Sequence, residues 1–276
     1  MKEILISDDE IKQFHPLFRG KHGPKAIKLI RKIAGLDIAC RLYDKSKHLK
    51  GIEFTTDLLN NLGIKRTVIN DAVLNEFKDK PFIVVANHPN GHVDGISLIE
   101  TVGSRVNNFK VMVNYLLGII DTMDENFIKV NPYTDSINKH VSVSGIKESI
   151  SHMQSGNPMG FFPAGSVSRL KFKNGRFVLH DRDWQESVVK LIQRAKLPVI
   201  PVYIDSRNSY GFYATRLIHW SLQTLALCHQ FENKEGKEIR LIFGKPIVPE
   251  KIKEFKNIKQ LASFLRQKTY DLAENR

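Results

Sequence analysis

The residues with the most chemical potential lie in one short polar segment, Asn87 to Asp94, which combines two histidines with a carboxylate. A neutral imidazole can accept the proton of a hydroxyl that attacks a carbonyl carbon, and a carboxylate on its other nitrogen stabilises the resulting imidazolium. His88 and Asp94 suit these roles if the intervening loop folds one side chain back onto the other. His92 suits the base role less, because helical side chains two positions apart do not face each other.

Two other interpretations of this segment are open. Asp94 is also a suitable helix N-cap, with His88 an ordinary loop histidine. His88 and His92 have the i, i+4 spacing of zinc ligands on a helix. Pro89 and Gly91 between them disfavour a helix, and no other Cys/His cluster supplies ligands. We therefore expect no metal site.

A second segment of interest follows an apolar stretch and reads Phe-Pro-Ala-Gly-Ser-Val-Ser-Arg, from Phe162 to Arg169. Gly165 permits a close approach of the backbone, and the nearby amides and hydroxyls can bind an oxyanion or an acceptor headgroup. Taken alone, the segment is better interpreted as an ordinary turn. It becomes informative in combination with the first segment.

Together, the Asn-His-Pro-Asn…Asp and Phe-Pro-x-Gly segments resemble the glycerolipid acyltransferase superfamily, the 1-acylglycerol-3-phosphate (lysophosphatidate) acyltransferase-like enzymes of lipid biosynthesis and phospholipid metabolism. Blocks at 126–132, 197–204 and 241–247 follow in the family's order. The resemblance implies transfer of an acyl chain from a thioester to a hydroxyl, with His88 as general base and Asp94 as its carboxylate. We also expect the following substrate-binding residues, of which Lys129 and Arg169 are not part of the family pattern: Asn87, Asn90, Lys129, Phe162, Pro163, Gly165, Ser166 and Arg169.

Departures from the family pattern bear on the acceptor. Five residues separate the histidine from the aspartate, where the commonest pattern has four. Ala164 replaces the usual glutamate, and Val167 replaces the arginine that is thought to hold the acceptor phosphate. Arg169 or Lys129 is left to supply that charge. Because this version is similar to a bacterial subgroup that includes enzymes acylating amino-acid lipids, we expect a lysolipid or monoacylated amino-acid lipid as acceptor.

The composition indicates a single enzyme in a reducing compartment. The chain has 276 residues, a formal net charge of +13 and two cysteines, Cys40 and Cys228, too few for a disulfide framework. No apolar run is long enough to span a membrane, and the acidic start does not resemble a signal peptide. We therefore expect a cytoplasmic protein, peripheral on the inner face of the membrane.

The positive charge requires an anionic partner, and the amphipathic segment 21–41 indicates which one. Its apolar residues fall near one helical stripe: Ile27, Ile30, Ile33, Ala34 and Ile38. Its basic residues surround that stripe: Lys25, Lys28, Arg31 and Lys32. Such a helix either lies in an anionic membrane interface or packs on the core with a solvated basic face. Given lipid substrates, we expect the membrane contact and no nucleic acid. The alternative function is a non-catalytic lipid- or nucleic-acid-binding module on the same fold.

The order of apolar runs predicts an α/β fold. Strands are expected near 82–86, 109–113, 158–162, 198–204 and 239–243. Helices are expected near 94–105, 144–155, 184–196 and 257–273. This alternation predicts a mainly parallel or mixed sheet with helices on both faces and an N-terminal helical appendage.

We divide the chain into an N-terminal helical segment, 1–75, and an acyltransferase α/β domain, 76–276. The expected enzyme holds no bound cofactor and takes its acyl group from acyl carrier protein or coenzyme A. Asp181 and Asp183, which precede a predicted helix, are interpreted as charge at its N-terminus rather than as catalytic groups.

Overall fold

The computed structural model describes residues 2–131, 139–173, 175–218 and 220–275. Within these ranges there are nine strands: β1 (Lys65–Ile69), β2 (Ile83–Ala86), β3 (Lys110–Asn114), β4 (Phe127–Val130), β5 (Met159–Phe161), β6 (Arg169–Lys173), β7 (Arg176–His180), β8 (Val199–Asp205) and β9 (Glu238–Phe243). Seven form one sheet in the order β1-β9-β8-β2-β5-β3-β4, and β6 and β7 form a separate hairpin.

The same ranges contain twelve α-helices: α1 (Asp8–Phe14), α2 (Gly23–Ala34), α3 (Leu36–Ser46), α4 (Gly51–Asn61), α5 (His92–Gly103), α6 (Lys139–Gln154), α7 (Glu186–Ala195), α8 (Tyr210–Ile218), α9 (Trp220–Leu225), α10 (His229–Lys234), α11 (Pro249–Lys253) and α12 (Ile258–Asp271). Within the described part of the chain, none of the helices has both the length and the apolar composition needed to cross a bilayer.

The central strands of the large sheet are parallel. Strand β2 pairs in parallel with β5 and β8, with Val85 opposite both Phe161 and Pro201. Strand β3 pairs in parallel with β4 and β5, whereas β8 and β9 are antiparallel. The predicted mainly parallel or mixed sheet is therefore confirmed. Because β2 and β5 are parallel neighbours, the loops that follow them leave the same edge of the sheet, where open α/β folds usually bind ligands.

Helices cover both faces of this sheet, as predicted. On one face, Ile83 and Val85 join an apolar cluster with residues of α6, α7 and α12. On the other face, Gly160 of β5 lies under α5, because a Cβ built there would stand 3.5 Å from Leu98 Cδ2. Residues 83–86 of β2 are 0% exposed, which explains why this strand is apolar at successive positions rather than at alternate ones.

The chain divides into two compact units. The first comprises the described residues within Met1–Lys65, Ile119–Thr122 and Asn208–Lys237. The second comprises those within Arg66–Gly118, Met123–Arg207 and Glu238–Arg276, and it contains β2, β5 and the loops that follow them. The boundary expected near residue 75 stays a prediction.

The basic segment 21–41 forms two helices rather than one. Gly35 ends α2 in the left-handed conformation, with φ +63°, and α3 begins at Leu36. The Gly35 N–H caps the last turn of α2 by donating to the Arg31 and Lys32 carbonyls. A glycine adopts this conformation without the steric cost of a Cβ, so it stops the helix inside an otherwise continuous amphipathic pattern.

Much of the predicted membrane-facing stripe lies in the core of the first unit. Ile27, Ala34 and Ile38 are buried, whereas Ile33 is 46% exposed. Ile27 belongs to a small apolar cluster that includes a residue of α1. The expectation that this stripe faces a membrane is therefore wrong for the three buried residues. An exposed leucine, Leu29, lies outside the predicted stripe.

Candidate active site

The loop after β2 turns sharply into α5 and carries the predicted catalytic pair. Helix α5 begins at His92, two residues earlier than expected, and Gly91 precedes it with φ +84°. Asp94 consequently lies in the first turn of the helix. Its Oδ2 accepts hydrogen bonds from the backbone N–H groups of Asn90 and Gly91 at 2.8 and 2.9 Å. This capping arrangement directs the Asp94 carboxylate back toward the loop.

The structure brings the His88 ring and the Asp94 carboxylate together. His88 Nδ1 lies 3.0 Å from Asp94 Oδ2, and the Asp94 side chain is 0% exposed while that of His88 is 19% exposed. This contact does not meet the geometry of a full hydrogen bond, and catalytic hydrogen bonds often become well aligned only when substrate binds. The ring also packs on Phe162, with 4.3 Å between ring centroids. The imidazole is thus held by a carboxylate and an aromatic ring, and remains accessible.

His92 does not share a helix with His88. His92 is the first residue of α5, and His88 lies in the preceding loop, so the helical spacing behind the zinc interpretation does not exist. Among the residues that the structure describes, no group of three or more His, Cys, Asp or Glu side chains is placed to hold a metal ion.

Two loop asparagines use their side chains for hydrogen bonds to other residues of the protein. Asn87 Nδ2 donates to the Ile204 carbonyl at 3.0 Å, and Asn87 Oδ1 accepts from the Ile204 N–H at 2.6 Å. The Asn87 amide thereby ties the start of the loop to β8. Asn90 Nδ2 donates to Asp94 Oδ1 at 2.6 Å. Both asparagines are buried. This geometry favours positioning roles over the substrate contacts that the sequence predicts.

The second motif forms a tight turn after β5. Gly165 has φ +62°, and its N–H donates to the Phe162 carbonyl at 2.9 Å. A Cβ on Gly165 would clash with the side-chain amide of Gln185. The Pro163 carbonyl accepts a hydrogen bond from the Gln185 N–H at 2.9 Å. The left-handed backbone conformation therefore favours glycine at position 165, whereas the Gln185 side chain could move to make room for a Cβ.

This turn also carries polar groups without a partner. Ser166 Oγ and Arg169 Nε are buried atoms that have no hydrogen-bond partner among the described residues. Buried polar groups in native structures are nearly always satisfied, by protein, water or ligand. Two unsatisfied donors within four residues of chain therefore mark the Ser166–Arg169 segment as a place where a polar ligand group can bind.

The two positions that depart from the family pattern do not present side chains to a ligand. Ala164 is 0% exposed and belongs to the apolar cluster that includes Trp184. Val167 is 8% exposed. A charged side chain at either position would have to be buried. The apolar residues therefore fit the local packing of this chain.

Lys129 is not brought to His88. It lies on β4, three strands from β2 in the sheet order, a separation of about 14 Å at the usual strand spacing. Its ammonium forms an ion pair with Asp124 at 2.7 Å. Of the two basic residues predicted to replace the missing arginine, Arg169 is the nearer along the chain to this site: it begins β6 directly after Ser168, whose N–H donates to the His88 carbonyl.

The sequence analysis missed Asp181, a carboxylate that is 0% exposed and joins the two loops. Asp181 Oδ1 accepts hydrogen bonds from the His88 N–H at 3.2 Å and from Ser168 Oγ at 2.5 Å. Its Oδ2 accepts from Trp184 Nε1 at 3.0 Å. The Ser168 N–H in turn donates to the His88 carbonyl at 2.8 Å. Asp181 therefore fixes the main chain of His88 against the second motif.

The interpretation of Asp181 as charge at a helix N-terminus is wrong, because α7 begins only at Glu186 and the carboxylate does not reach solvent. Asp183 behaves differently: its side chain is 89% exposed and pairs with Arg266. The bond to Arg266 lowers the pKa of Asp183. Trp184, three residues later, carries an indole N–H that needs an acceptor when it is buried, and this is the one local signal that could have singled out Asp181.

Two aromatic side chains, those of Tyr270 and His180, lie next to Asp181. Its N–H donates to the Tyr270 hydroxyl at 2.7 Å, and His180 stacks on the Tyr270 ring at 4.0 Å between centroids. Burial raises the pKa of Tyr270 and lowers the pKa of His180. Both groups are therefore held in their neutral forms at neutral pH.

A protein-family model described as "Acyltransferase" matches residues 78–276, which include both loops and Asp181. The chain belongs to this acyltransferase family. The resemblance noted in the sequence is thereby confirmed.

Two curated relatives of the acyltransferase are both named lyso-glycine lipid O-acyltransferase. The one from Bacteroides thetaiotaomicron is 29% identical over 280 residues, covering 98% of each chain. The one from Phocaeicola vulgatus is 28% identical over 236 residues, covering 82% of this chain and 80% of that protein. The crystal structure of the 1-acyl-sn-glycerophosphate (LPA) acyltransferase PlsC from Thermotoga maritima is also similar to the acyltransferase, with 16% identity, a TM-score of 0.48, and coverage of 89% of this chain and 92% of that one.

Proposed function

We propose that the enzyme transfers a fatty acyl chain from a thioester to the hydroxyl of a lysolipid, with His88 as general base. The observation that carries this proposal is the 3.0 Å contact of His88 Nδ1 with the fully buried Asp94 carboxylate. A carboxylate beside Nδ1 favours the tautomer that protonates this nitrogen and leaves Nε2 as the proton acceptor. The names of the two curated relatives support a lysolipid acceptor.

The proposed reaction is direct acyl transfer. The acceptor oxygen attacks the thioester carbonyl while its proton moves to His88 Nε2. The tetrahedral intermediate then collapses, the carbon–sulfur bond breaks, and the proton passes from His88 to the departing thiolate. Asp94 stabilises the intervening imidazolium. Acyl carrier protein or coenzyme A supplies the thioester, and no bound cofactor takes part.

The oxyanion of the intermediate needs a hydrogen-bond donor. The sequence pointed to the amides around Gly165 and in the 87–91 loop. The Gly165 N–H already donates to the Phe162 carbonyl, whereas the buried Ser166 hydroxyl has no partner among the described residues. We therefore assign the Ser166 hydroxyl as the donor.

For the acceptor, we propose a monoacylated amino-acid lipid rather than lysophosphatidate. The position of the family's phosphate-binding arginine is the buried Val167. The Arg169 guanidinium, which has one unpartnered nitrogen, remains available to bind a single anionic group. Such a guanidinium suits a carboxylate as well as a phosphate.

The test is an assay of the purified enzyme with acyl-coenzyme A or acyl carrier protein thioesters and the two acceptors, with products identified by mass spectrometry. We expect a higher kcat/KM for the amino-acid lipid. Ser166→Ala should lower kcat with little change in KM, and Arg169→Ala should mainly raise KM for the preferred acceptor. A strong preference for lysophosphatidate that disappears in Arg169→Ala would overturn the acceptor assignment. No turnover with any pair would instead favour a non-catalytic lipid-binding module.

The enzyme is proposed to act as a peripheral protein on an anionic membrane surface, at the inner face of the membrane. The formal net charge of +13 and the lipid acceptor support this placement.

A further inference from the structure

The β6–β7 hairpin carries the two most exposed large apolar side chains among the described residues. Phe172 is 69% exposed and Phe177 is 66% exposed. They are direct partners across the antiparallel pair, and their ring centroids are 5.3 Å apart. The two rings therefore form one apolar patch on a single face of the hairpin. Contiguous exposed apolar groups of this kind typically mark an interaction site.

The positive charge of the hairpin sequence indicates the chemistry of its partner. The segment from Arg169 to His180 contains Lys171, Lys173 and Arg176 and no acidic residue, and Lys171 is exposed. Aromatic side chains prefer the headgroup level of a bilayer, and basic residues are attracted to anionic lipids. This combination fits the surface of an anionic membrane.

The residues that flank the hairpin are hydrogen-bonded to each other and to the candidate active site. Ser168 and Asp181, which directly precede β6 and directly follow β7, are joined by the 2.5 Å hydrogen bond from Ser168 Oγ to Asp181 Oδ1. Asp181 also binds the His88 N–H. Three residues of extended chain separate Arg169 from Phe172, a distance of about 10 Å. An aromatic patch at headgroup level would therefore bring His88 close to lipid hydroxyls.

We propose that the β6–β7 hairpin is the membrane-docking element of this enzyme and inserts Phe172 and Phe177 into the headgroup region of an anionic bilayer. The proposal rests on the proposed function, because a lipid acceptor is what the docked site would reach. It assigns to the hairpin the role that the sequence gave to the basic segment 21–41.

Helix α2 is a suitable comparison because less of it is available for a membrane. Arg31 is held by ion pairs with Asp8 at 3.0 Å and Asp37 at 2.8 Å. The exposed apolar residues that remain on α2 are Leu29, at 59%, and Ile33, at 46%. Lysines also flank these two side chains. Replacing Leu29 and Ile33 together therefore removes exposed apolar surface from a second basic element, and this variant serves as the control.

The decisive experiment measures sedimentation with vesicles of phosphatidylglycerol or of phosphatidylcholine. We expect Phe172→Ser/Phe177→Ser to lower the partition coefficient on phosphatidylglycerol by about tenfold or more, the scale expected for two interfacial aromatic side chains. Leu29→Ser/Ile33→Ser should remain within about twofold of the parent. Unchanged binding of the phenylalanine variant, or an equal loss in the α2 variant, would overturn the proposal.

A conservative variant tests insertion directly. Phe172→Trp/Phe177→Trp should retain binding, and its added tryptophan emission should shift to shorter wavelength on phosphatidylglycerol vesicles. A shift absent at saturating vesicle concentration would contradict insertion. All variants should keep the thermal unfolding midpoint of the parent, because the replaced rings are largely exposed.

Activity measurements separate this proposal from the proposed function. The Phe172→Ser/Phe177→Ser variant should retain turnover on a short, water-soluble acceptor and lose it on an acceptor embedded in vesicles. If the parent shows no turnover but the binding difference holds, the proposed function fails and the docking proposal stands. If turnover on embedded acceptor survives in the serine variant, the docking proposal fails and the function stands.

Discussion

Two fully buried carboxylates contact His88, and they do so in different ways. Asp94 lies 3.0 Å from the imidazole nitrogen, whereas Asp181 accepts a hydrogen bond from the His88 main-chain N–H. The backbone donors to Asp94 lie at the start of its own helix. Of the three donors to the Asp181 carboxylate, Trp184 is on the same segment, whereas His88 and Ser168 belong to two other loops. A buried carboxylate is tolerated when it is well hydrogen-bonded. In the proposed mechanism, Asp94 therefore influences proton transfer at His88, whereas Asp181 fixes the position of the His88 main chain.

The largest expected effect is the loss of His88, the proposed base, which both carboxylates contact. His88→Ala should lower kcat by about 10²–10⁴-fold, the usual contribution of a positioned general base. The matched control is His92→Ala, which should have a much smaller effect. Steady-state kinetics on both variants provides the test. An inactive His92 variant beside an active His88 variant would mean that the base has been misassigned.

The next largest effect is expected at the carboxylate that faces the imidazole ring. Asp94→Asn removes the charge that stabilises the imidazolium and should lower kcat by roughly 10²-fold or more. It should also change the pH profile of kcat/KM, because the base loses its charged neighbour. The protein should still fold, as judged by circular dichroism. A variant with the parental pH profile would remove Asp94 from the chemistry.

Asp181→Asn should have a smaller effect on rate and a larger one on stability. The new amide would turn a donor toward the Trp184 Nε1–H, so one buried hydrogen bond is replaced by two facing donors. The cost is about 1–3 kcal/mol of unfolding free energy. We expect kcat to fall by about tenfold with the pH profile preserved. Asp183→Asn, on the exposed neighbour, should leave stability within about 0.5 kcal/mol.

If Asp181→Asn instead shifted the pH profile as Asp94→Asn does, the division of labour between the two carboxylates would be refuted. Denaturant unfolding and pH-dependent kinetics on the same preparations distinguish these outcomes.

The smallest expected effect concerns the surroundings of Asp181. Burial lowers the pKa of His180 below its ordinary 6.5 in the folded protein. As the pH falls below 6.5, the unfolded chain binds a proton at His180 before the folded chain does. The free energy of unfolding therefore declines as the pH falls from 6.5 to the folded pKa of His180. The slope from one such group cannot exceed about 1.4 kcal/mol per pH unit. His180→Phe, which retains a ring against Tyr270, should flatten the acid limb of unfolding free energy against pH; an unchanged limb would contradict the assignment.

The sequence predicted the central strands well because they are buried on both faces. Strands β2 and β8 are continuous apolar runs, and their positions agree with the expectation to within a residue. Four of the described strands were missed, and two of them lack that signal: β1 is half exposed, and β6 alternates apolar with basic residues. A hairpin that keeps phenylalanines in solvent does not follow the rule that apolar residues mark the core.

The candidate site was predictable only where its partners are close in sequence. His88 and Asp94 are close along the chain, so a single loop conformation unites them. Asp181 was missed because it contacts His88 and Ser168, which are 93 and 13 positions away along the chain. A local sequence pattern does not predict contacts between such distant residues. The single long helix expected at 21–41 failed for a local reason, since Gly35 stops it within an amphipathic pattern.

The three donors to Asp181 also bear on how the chain folds. They come from the loop after β2, the turn after β5 and the segment before α7, and contacts between distant segments are slow to form because the chain must first close long loops. His88 therefore reaches its final position only when all three segments have docked. Recovery of activity during refolding should therefore lag behind recovery of helix content, because a chain with its helices formed but these segments undocked has not yet placed His88.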